Sequence, residues 1–289
     1  MPNVKDLRRR IVSVKNTQQI TKAMKMIATV KLRNAQDQIL ACRPYAQELI
    51  SVIANLAAHG ETERYPLLSQ RPEERVHMVV ITANRGLCGS YNTSILRQAE
   101  KFAKEQGPSF KQFRMSFIGR KAREYFKNKL KFEWIGDSFQ PEGEQTFSYA
   151  IRLSDQLMAS FIKGEFDRIY FLYNEFKSAI SQKVILETLL PVAPAKANSP
   201  FDKVDYLYEP SRDEVLELLL PKYVHTQVYR ILLEAIASEH GARLTAMDNA
   251  TRNADDMISA LTLQANRLRQ AVITKELIEI VSGAEALKG

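Results

Sequence analysis

Of the chain's 289 residues only two are cysteine and four are histidine. Cys42 and Cys88 have no C-x-x-C spacing, so neither a zinc site nor a disulfide scaffold is indicated, and both read as small buried thiols of a reducing compartment. His59, His77, His225 and His240 show no H-x-x-x-H or H-x-x-E-H spacing, which leaves no pair of imidazoles on one helix face to hold a metal. No apolar run approaches the roughly 18 residues needed to span a bilayer. The basic start MPNVKDLRRR is not followed by an apolar core of the signal-peptide kind, so the protein is expected to stay on the side where it is made.

Phosphate-binding loops are missing as well. The stretch MVVITANRGLCGSYN, Met78 to Asn92, opens as nucleotide-binding units do, with β-branched residues running into a glycine turn and Ser90 placed to cap a helix. It supplies only G-x-x-G, at Gly86 and Gly89, where a dinucleotide fingerprint needs G-x-G-x-x-G and a mononucleotide loop needs G-x-x-x-x-G-K-[ST]. No glycine in the chain is followed by lysine, so no ammonium is placed to reach a phosphate. The turn therefore reads as structural, a strand-to-helix connection using glycine for tight geometry. Nor is there a G-x-S-x-G elbow or a spaced Cys-His pair. Carboxylate pairs such as Glu73 with Glu74 and Asp255 with Asp256 are adjacent, and adjacent residues face apart on a helix. The sequence does not look like an enzyme, and no cofactor is expected.

What is present begins with charge. Lys and Arg number 41 against 33 Asp and Glu, a formal +8 that favours an acidic partner, while 45% apolar content suffices for a core. From Val4 a heptad register runs through Leu7, Ile11, Val14, Gln18, Thr21, Lys25, Ala28, Leu32, Ala35, Ile39, Cys42, Ala46, Leu49, Ile53 and Leu56. Such sustained alternation of three and four predicts a long helix with a coiled-coil seam. Pro44 predicts a kink or break near Arg43. At the other end SRDE, Ser211 to Glu214, is a capping-box start, and a helical pattern resumes after Pro221. Met247, Thr251, Ala254, Ile258, Leu261, Ala265, Leu268 and Val272 step by four and three again. Two such helices are most economically paired with each other as an antiparallel coiled coil, since an amphipathic helix gains stability mainly from packing.

Between them the period changes. Val76 to Thr82, Phe113 to Ile118, Lys131 to Ile135 and Arg168 to Tyr173 are strand-like, and Thr93 to Lys104, Arg120 to Asn128 and Phe147 to Lys163 are helical. That alternation predicts a mostly parallel sheet with flanking helices, to which Lys183 to Leu190 adds a strand antiparallel to Arg168 to Tyr173. The fold class is an α/β domain inserted between two long terminal helices forming an antiparallel coiled coil. The expected division is a coiled-coil helix over 1–58, the α/β domain over 75–200 and the returning helix over 211–287.

The first helix carries Lys5, Arg8, Arg9, Arg10, Lys15, Lys22, Lys25, Lys31 and Arg33 with only Asp6 nearby. A basic helix can contact phosphates, but none of its residues before Tyr45 is aromatic, so nothing would stack a base. Its polar seam residues Gln18, Thr21 and Lys25 read as local loosening of the coil. The last segment, ITKELIEIVSGAEALKG, puts Ile273, Leu277, Ile280, Val281 and Leu287 on a helix end beyond its partner. An apolar tip in water implies insertion into something else.

The two ends strongly resemble the γ subunit family of F-type ATP synthase, the central rotor shaft. The terminal signature matches at Ile273, Thr274, Glu276, Glu279, Gly283 and Ala284. SVKNTQQITKAMKMIATVKLRNAQ, RPYA, DYLYEP and QVYRILLEAIASEHGARLTAM match too, and Arg85 to Gly89 looks like the family's R-G-L-C-G segment. Asn84 stands where relatives commonly have aspartate, and Ser90 and Tyr91 replace a glycine and leucine. The resemblance implies that the coil rises through a hexamer of α and β subunits, and that the α/β domain sits at its foot with the ε subunit on the c ring. It implies β-subunit contacts at Met24, Arg269 and Gln270, and c-ring or ε contacts at Tyr206, Tyr208 and Glu209. It further implies no nucleic-acid partner, membrane association through the complex only, and coupling of proton or sodium flow to ATP synthesis or hydrolysis. The chloroplast cysteine insertion and a transit peptide are missing, so a bacterial subunit on the cytoplasmic face of the inner membrane, peripheral to it, is expected. The rival reading is a nucleotide-dependent α/β enzyme with a coiled-coil arm.

Overall fold

The computed structural model describes residues 3–58, 64–127, 129, 144–193 and 208–286. In chain order its elements are α1 (Val4–Ala58), β1 (Arg75–Ile81), α2 (Tyr91–Glu105), β2 (Gln112–Ile118), α3 (Arg120–Phe126), α4 (Glu144–Ile162), β3 (Arg168–Phe176), β4 (Gln182–Leu190) and α5 (Arg212–Ala286). The expected strand Lys131 to Ile135 lies outside the described residues. The chain divides into two compact units, Met1–Ile27 with Leu244–Gly289, and Ala28–Arg243, so α1 and α5 each run through both.

In the larger unit, alternation of strand and helix produces the parallel sheet expected of it. The strand order is β2-β1-β3-β4. β1 pairs parallel with β2 and with β3, and β3 pairs antiparallel with β4. β1 is buried on both faces, as a central parallel strand must be. One face packs Val79, Phe171 and Tyr173 against α4 residues Leu153, Leu157 and Phe161, α1 residues Leu49 and Ile53, and α5 residues Val224, Val228 and Ile231. The other packs Met78, Val80 and Phe117 against Ile95, Ala99 and Phe102 of α2 and Phe126 of α3. Phe117 and Phe126 stack with ring centroids 5.0 Å apart. Gly119 turns the chain from β2 into α3 at φ 99°, and a Cβ there would meet the Thr82 carbonyl oxygen at 2.0 Å, so only glycine fits.

Neither proline inside a long helix ends it, and the break that Pro44 could have made near Arg43 does not occur. α1 continues through Pro44 and α5 through Pro221. Each proline frees the carbonyl four residues back, but Leu40 and Glu217 are exposed, so water can take the hydrogen bond that the helix loses. The serine half of the capping box forms, with the Glu214 amide donating to Ser211 Oγ at 3.2 Å just before α5 begins, while the Glu214 carboxylate accepts from the Ser211 hydroxyl at 3.1 Å.

The smaller unit is a pair of antiparallel helices, residues up to 27 of α1 with α5 from 244. The seam read from the sequence is the buried side of both helices. Every heptad position from Val4 to Leu56 is buried or half-buried, and so is each from Met247 to Leu268. Val272 departs from the pattern, with 42% of its surface exposed.

Candidate functional site: the helical pair and its tip

Three cross-helix rungs show how the pair is registered. Gln18 Nε2 donates to Asp255 Oδ1. The hydroxyls of Thr21 and Thr251 lie 2.8 Å apart, and Lys25 Nζ meets Asp248 Oδ1 at 2.6 Å. The Lys25 hydrogen bond, with the charges of Arg252 and Lys25, holds the Asp248 carboxyl below its usual range. The polar seam positions, expected to loosen the coil, instead find polar partners across it. The reason is that α5 presents polar residues in mirror-image steps, a match invisible while each helix is read alone.

Continuing the same steps places Val14 opposite Ile258, Ile11 opposite Leu261, Leu7 opposite Ala265 and Val4 opposite Leu268. The pairing then ends because α1 starts at Val4, which explains the exposure of Val272. Every residue from Arg269 to Ala284 is exposed. Ile273, Leu277, Ile278, Ile280 and Val281 show between 48% and 67% of their surface.

The residues singled out from the sequence fall as follows. Arg269 and Gln270 are exposed where the pairing stops, and the Thr274 hydroxyl donates to the Gln270 carbonyl at 2.9 Å. Glu276 and Glu279 are exposed, Glu279 within 3.5 Å of Lys275. A Cβ on Gly283 would meet nothing within 4 Å, and Ala284 beside it is exposed. Ile273 through Ala284 thus form one continuous surface. Met24, half-buried on α1, is not brought to Arg269 and Gln270. The register puts it beside Asp248, roughly 20 residues or ~30 Å along α5 from Arg269. In the larger unit Tyr208 is half-buried, its hydroxyl donating to Asn55 Oδ1 at 3.2 Å, and Glu209 is exposed. Tyr206 lies outside the described residues. Lys5, Arg8, Arg9, Arg10, Lys15, Lys22 and Arg33 are exposed on α1, whereas Lys25 turns inward to Asp248. Asp248 is not singled out by the sequence, and Asp255 is named there only as a carboxylate beside Asp256; their spacing against Lys25 and Gln18 is the signal that completes the ladder.

The Gly86–Gly89 turn lies at the carboxyl end of β1, beside β3, where open α/β sheets bind ligands. Here the chain's own α5 adjoins that edge. The Tyr91 hydroxyl donates to the Ala235 carbonyl at 3.2 Å, and Arg243 Nη2 donates to the Gly86 carbonyl at 3.4 Å. Gly241 approaches so closely that a Cβ would stand 3.3 Å from Ala179 Cα and from the Phe176 ring. Ser90 does not cap α2, since its side chain makes no cap bond and its backbone is helical. Asn92 ties the turn instead, accepting from the Ala83 amide at 2.9 Å and donating to Cys88 Sγ at 3.2 Å. Leu87 sits at φ 63°, a conformation uncommon for a branched side chain. Among the described residues no group of three His, Cys, Asp or Glu could hold a metal ion, and no helix is long and apolar enough to cross a membrane.

Comparison with known proteins agrees over the whole length. A family model described as ATP synthase matches residues 3–287. The chain is 46% identical over 290 residues to the ATP synthase gamma chain of Geotalea daltonii, covering all of both chains. It is likewise 46% identical over 291 residues to the gamma chain of Anaeromyxobacter sp. strain K, again covering all of both. Among solved structures, the central stalk and c ring of Tetrahymena thermophila mitochondrial ATP synthase has a chain that matches with TM-score 0.59 and 25% identity, over 80% of this chain and 99% of that one. A chain of the Euglena gracilis mitochondrial ATP synthase shares the fold with TM-score 0.65 at 20% identity, over 98% and 94%.

Proposed function

We infer the work of this chain from one premise: it belongs to the ATP synthase family, and within it to the gamma chains. It is the central stalk subunit of an F-type ATP synthase. The observation that carries the mechanism is the stretch from Arg269 to Ala284, a helix whose apolar side chains are left exposed by the described residues. Burying each of those side chains is worth roughly 1.5–3 kcal/mol, so the tip gains several-fold that by entering an apolar bearing. The bearing is the axis of a hexamer of α and β subunits.

The helical pair turns inside that hexamer. Its surface is not the same on all sides: α1 presents cations almost alone, at Lys5, Arg8, Arg9, Arg10, Lys15 and Lys22, while α5 mixes Asp255 and Asp256 with Arg252, Arg267 and Arg269. Each orientation favours a different conformation of each β subunit, and differential contact is what shifts such an equilibrium. Met24 acts at one level of the coil and Arg269 with Gln270 at another, because the register separates them. Tyr206, Tyr208 and Glu209 meet the c ring and ε at the foot, where ion flow, of protons or sodium, delivers rotation. The working division is 1–58 and 211–287 for the coil helices and 75–200 for the domain at the foot. The chain itself is non-catalytic, since the ATP-forming sites lie on partner subunits. It holds no cofactor and works at the cytoplasmic face of a bacterial inner membrane through the complex.

The test is reconstitution. Purified chain is mixed with α and β subunits of a closely related ATP synthase, and assembly and ATP hydrolysis are measured for the full chain, for a variant ending before Ile273 and for the chain alone. A stable, active hexamer only when the chain is added supports the stalk reading, and the loss on truncation measures the tip. A chain that neither assembles nor activates, yet binds or hydrolyses nucleotide alone, refutes it in favour of an α/β enzyme with a coiled-coil arm.

A further inference from the structure

We propose that the cavity between α1, α4 and α5 is a binding site for a planar aromatic anion, a ring system bearing one carboxylate or sulfonate. The cavity lies wholly within the larger unit, and the proposal goes beyond the stalk reading without depending on it. Its volume is about 580 Å³, inside the roughly 300–1,000 Å³ range of small-molecule pockets. α1 lines it with Cys42 and Tyr45, α4 with Phe147, and α5 with Lys222, His225 and Tyr229.

The wall divides by chemistry. Tyr45, Phe147 and Tyr229 give it aromatic surface. Phe147 and Tyr229 meet edge to face with ring centroids 5.2 Å apart, an arrangement that leaves ring faces open to a third ring. Phe147 is 46% and Tyr45 55% exposed, so a flat ligand would cover apolar surface that the chain alone leaves to water. Burial raises the Cys42 thiol against the pull of Arg230, the sign of a poorly hydrated floor. The charge on the wall is of one sign. Lys222 has no ion-pair partner among the described residues, and none of the residues lining the cavity is Asp or Glu. The Asp155 carboxylate of α4 lies 2.7 Å from His225 Nε2 and is engaged there. An aromatic cation would find no counter-ion on this wall, and a neutral ring would leave the Lys222 ammonium unpaired. An aromatic anion with its charge toward Lys222 satisfies both halves.

The test uses the full chain and anilinonaphthalenesulfonate, a flat aromatic anion that fluoresces when it leaves water. Because the exposed apolar tip can also attract it, the deciding readout is local. Cys42 and Cys88 are the only cysteines, Cys42 half-buried on the cavity wall and Cys88 buried. Iodoacetamide labelling resolved by peptide mass spectrometry therefore reads the cavity at Cys42, with Cys88 as internal reference. At about ten times its half-saturating concentration the probe should slow Cys42 labelling about tenfold, as the free fraction falls, and leave Cys88 unchanged. Lys222→Gln should raise the half-protecting concentration about threefold, the worth of one exposed ion pair. Phe147→Ala should raise it about fivefold or more, through the lost ring contact. Uncharged N-phenylnaphthylamine should protect the parent chain more weakly than the anion and should not distinguish it from Lys222→Gln. Fluorescence that rises while Cys42 labels at its unprotected rate overturns the proposal, as does protection by the anion that Lys222→Gln leaves unchanged. Equal slowing of both cysteines overturns it too, since that would report a general tightening of the chain.

Discussion

Removing Arg230 should destabilise the larger unit by an amount that depends on pH. On α5, its Nη1 lies 2.9 Å from Glu234 and 3.3 Å from the Tyr173 hydroxyl, its Nη2 bonds Glu187 of β4, and its Nε donates to Gln227 at 2.9 Å. The side chains of Arg230, Glu187 and Glu234 are 28%, 29% and 15% exposed, so the cluster is mostly dry and joins α5 to the sheet. Breaking a fully buried pair from one side costs about 3–5 kcal/mol, and the remaining exposure here reduces the figure for Arg230→Leu to about 2–3 kcal/mol near neutral pH. For a unit of this size that lowers the unfolding midpoint by roughly 5–10 °C. Burial already raises the Glu234 carboxyl above its usual range, against the pull of Arg230. Without the guanidinium it must rise further. A carboxyl whose folded pKa is raised contributes stability at low pH and loses it as pH climbs through the folded value. The deficit of the variant, followed by urea unfolding, should therefore be largest at about pH 8 and shrink toward about pH 5, and Glu234→Gln in the same chain should recover part of it. A deficit that is the same at both pH values, or that falls below about 0.5 kcal/mol, would refute the assignment of an uncompensated buried charge.

Other outcomes follow from the same geometry. Burial, helped by the Arg114 charge, lowers His77 to about 4, so the folded chain binds fewer protons than the unfolded chain between there and the ordinary value near 6.5. Stability should fall by up to about 3 kcal/mol as pH drops through that window. His77→Phe, measured by the same unfolding curves, should remove that slope; an unchanged slope would place the titration elsewhere. Truncation before Ile273 should leave the unfolding midpoint of the isolated chain within about 1 °C, because none of the described residues buries the tip; a clear fall would mean that the tip folds back. Calorimetry of the isolated chain with millimolar ATP should show no binding, since no glycine precedes a lysine and α5 lines the edge of the sheet beside the glycine turn. Saturable binding would revive the enzyme reading.

The coil was the most legible part, because one periodic constraint recurs over many turns and a single wrong residue cannot hide it. Leu7, Thr21, Leu32 and Leu49 all stand where the heptads put them. Val272 failed for a reason outside its own helix: its partner would have to precede Val4. The ladder was misread because Gln18, Thr21 and Lys25 are polar defects on one helix and become pairs only when Asp248, Thr251 and Asp255 are set beside them, more than 220 residues away in sequence. Pro44 does not break the helix, since the carbonyl it frees, on Leu40, stands on an exposed side. In the α/β domain the alternation of periods located the strands and the antiparallel β4, while the role of the glycine turn depended on Ala235, Gly241 and Arg243, residues that arrive from the far end of the chain. Met24 and Arg269, both expected to meet the β subunits, stand at different levels of the coil, a separation that only the register of the two helices reveals.

The central claim, that this chain turns within the hexamer, is tested most directly by watching it turn. Ile180, at the β3–β4 hairpin with 85% of its surface exposed, is replaced by cysteine in a chain otherwise free of cysteine and labelled with a bead. The chain is assembled with immobilised α and β subunits and given ATP. The account predicts continuous rotation in one direction that stops when ATP is withdrawn. A hexamer that hydrolyses ATP while the bead stays still would contradict it.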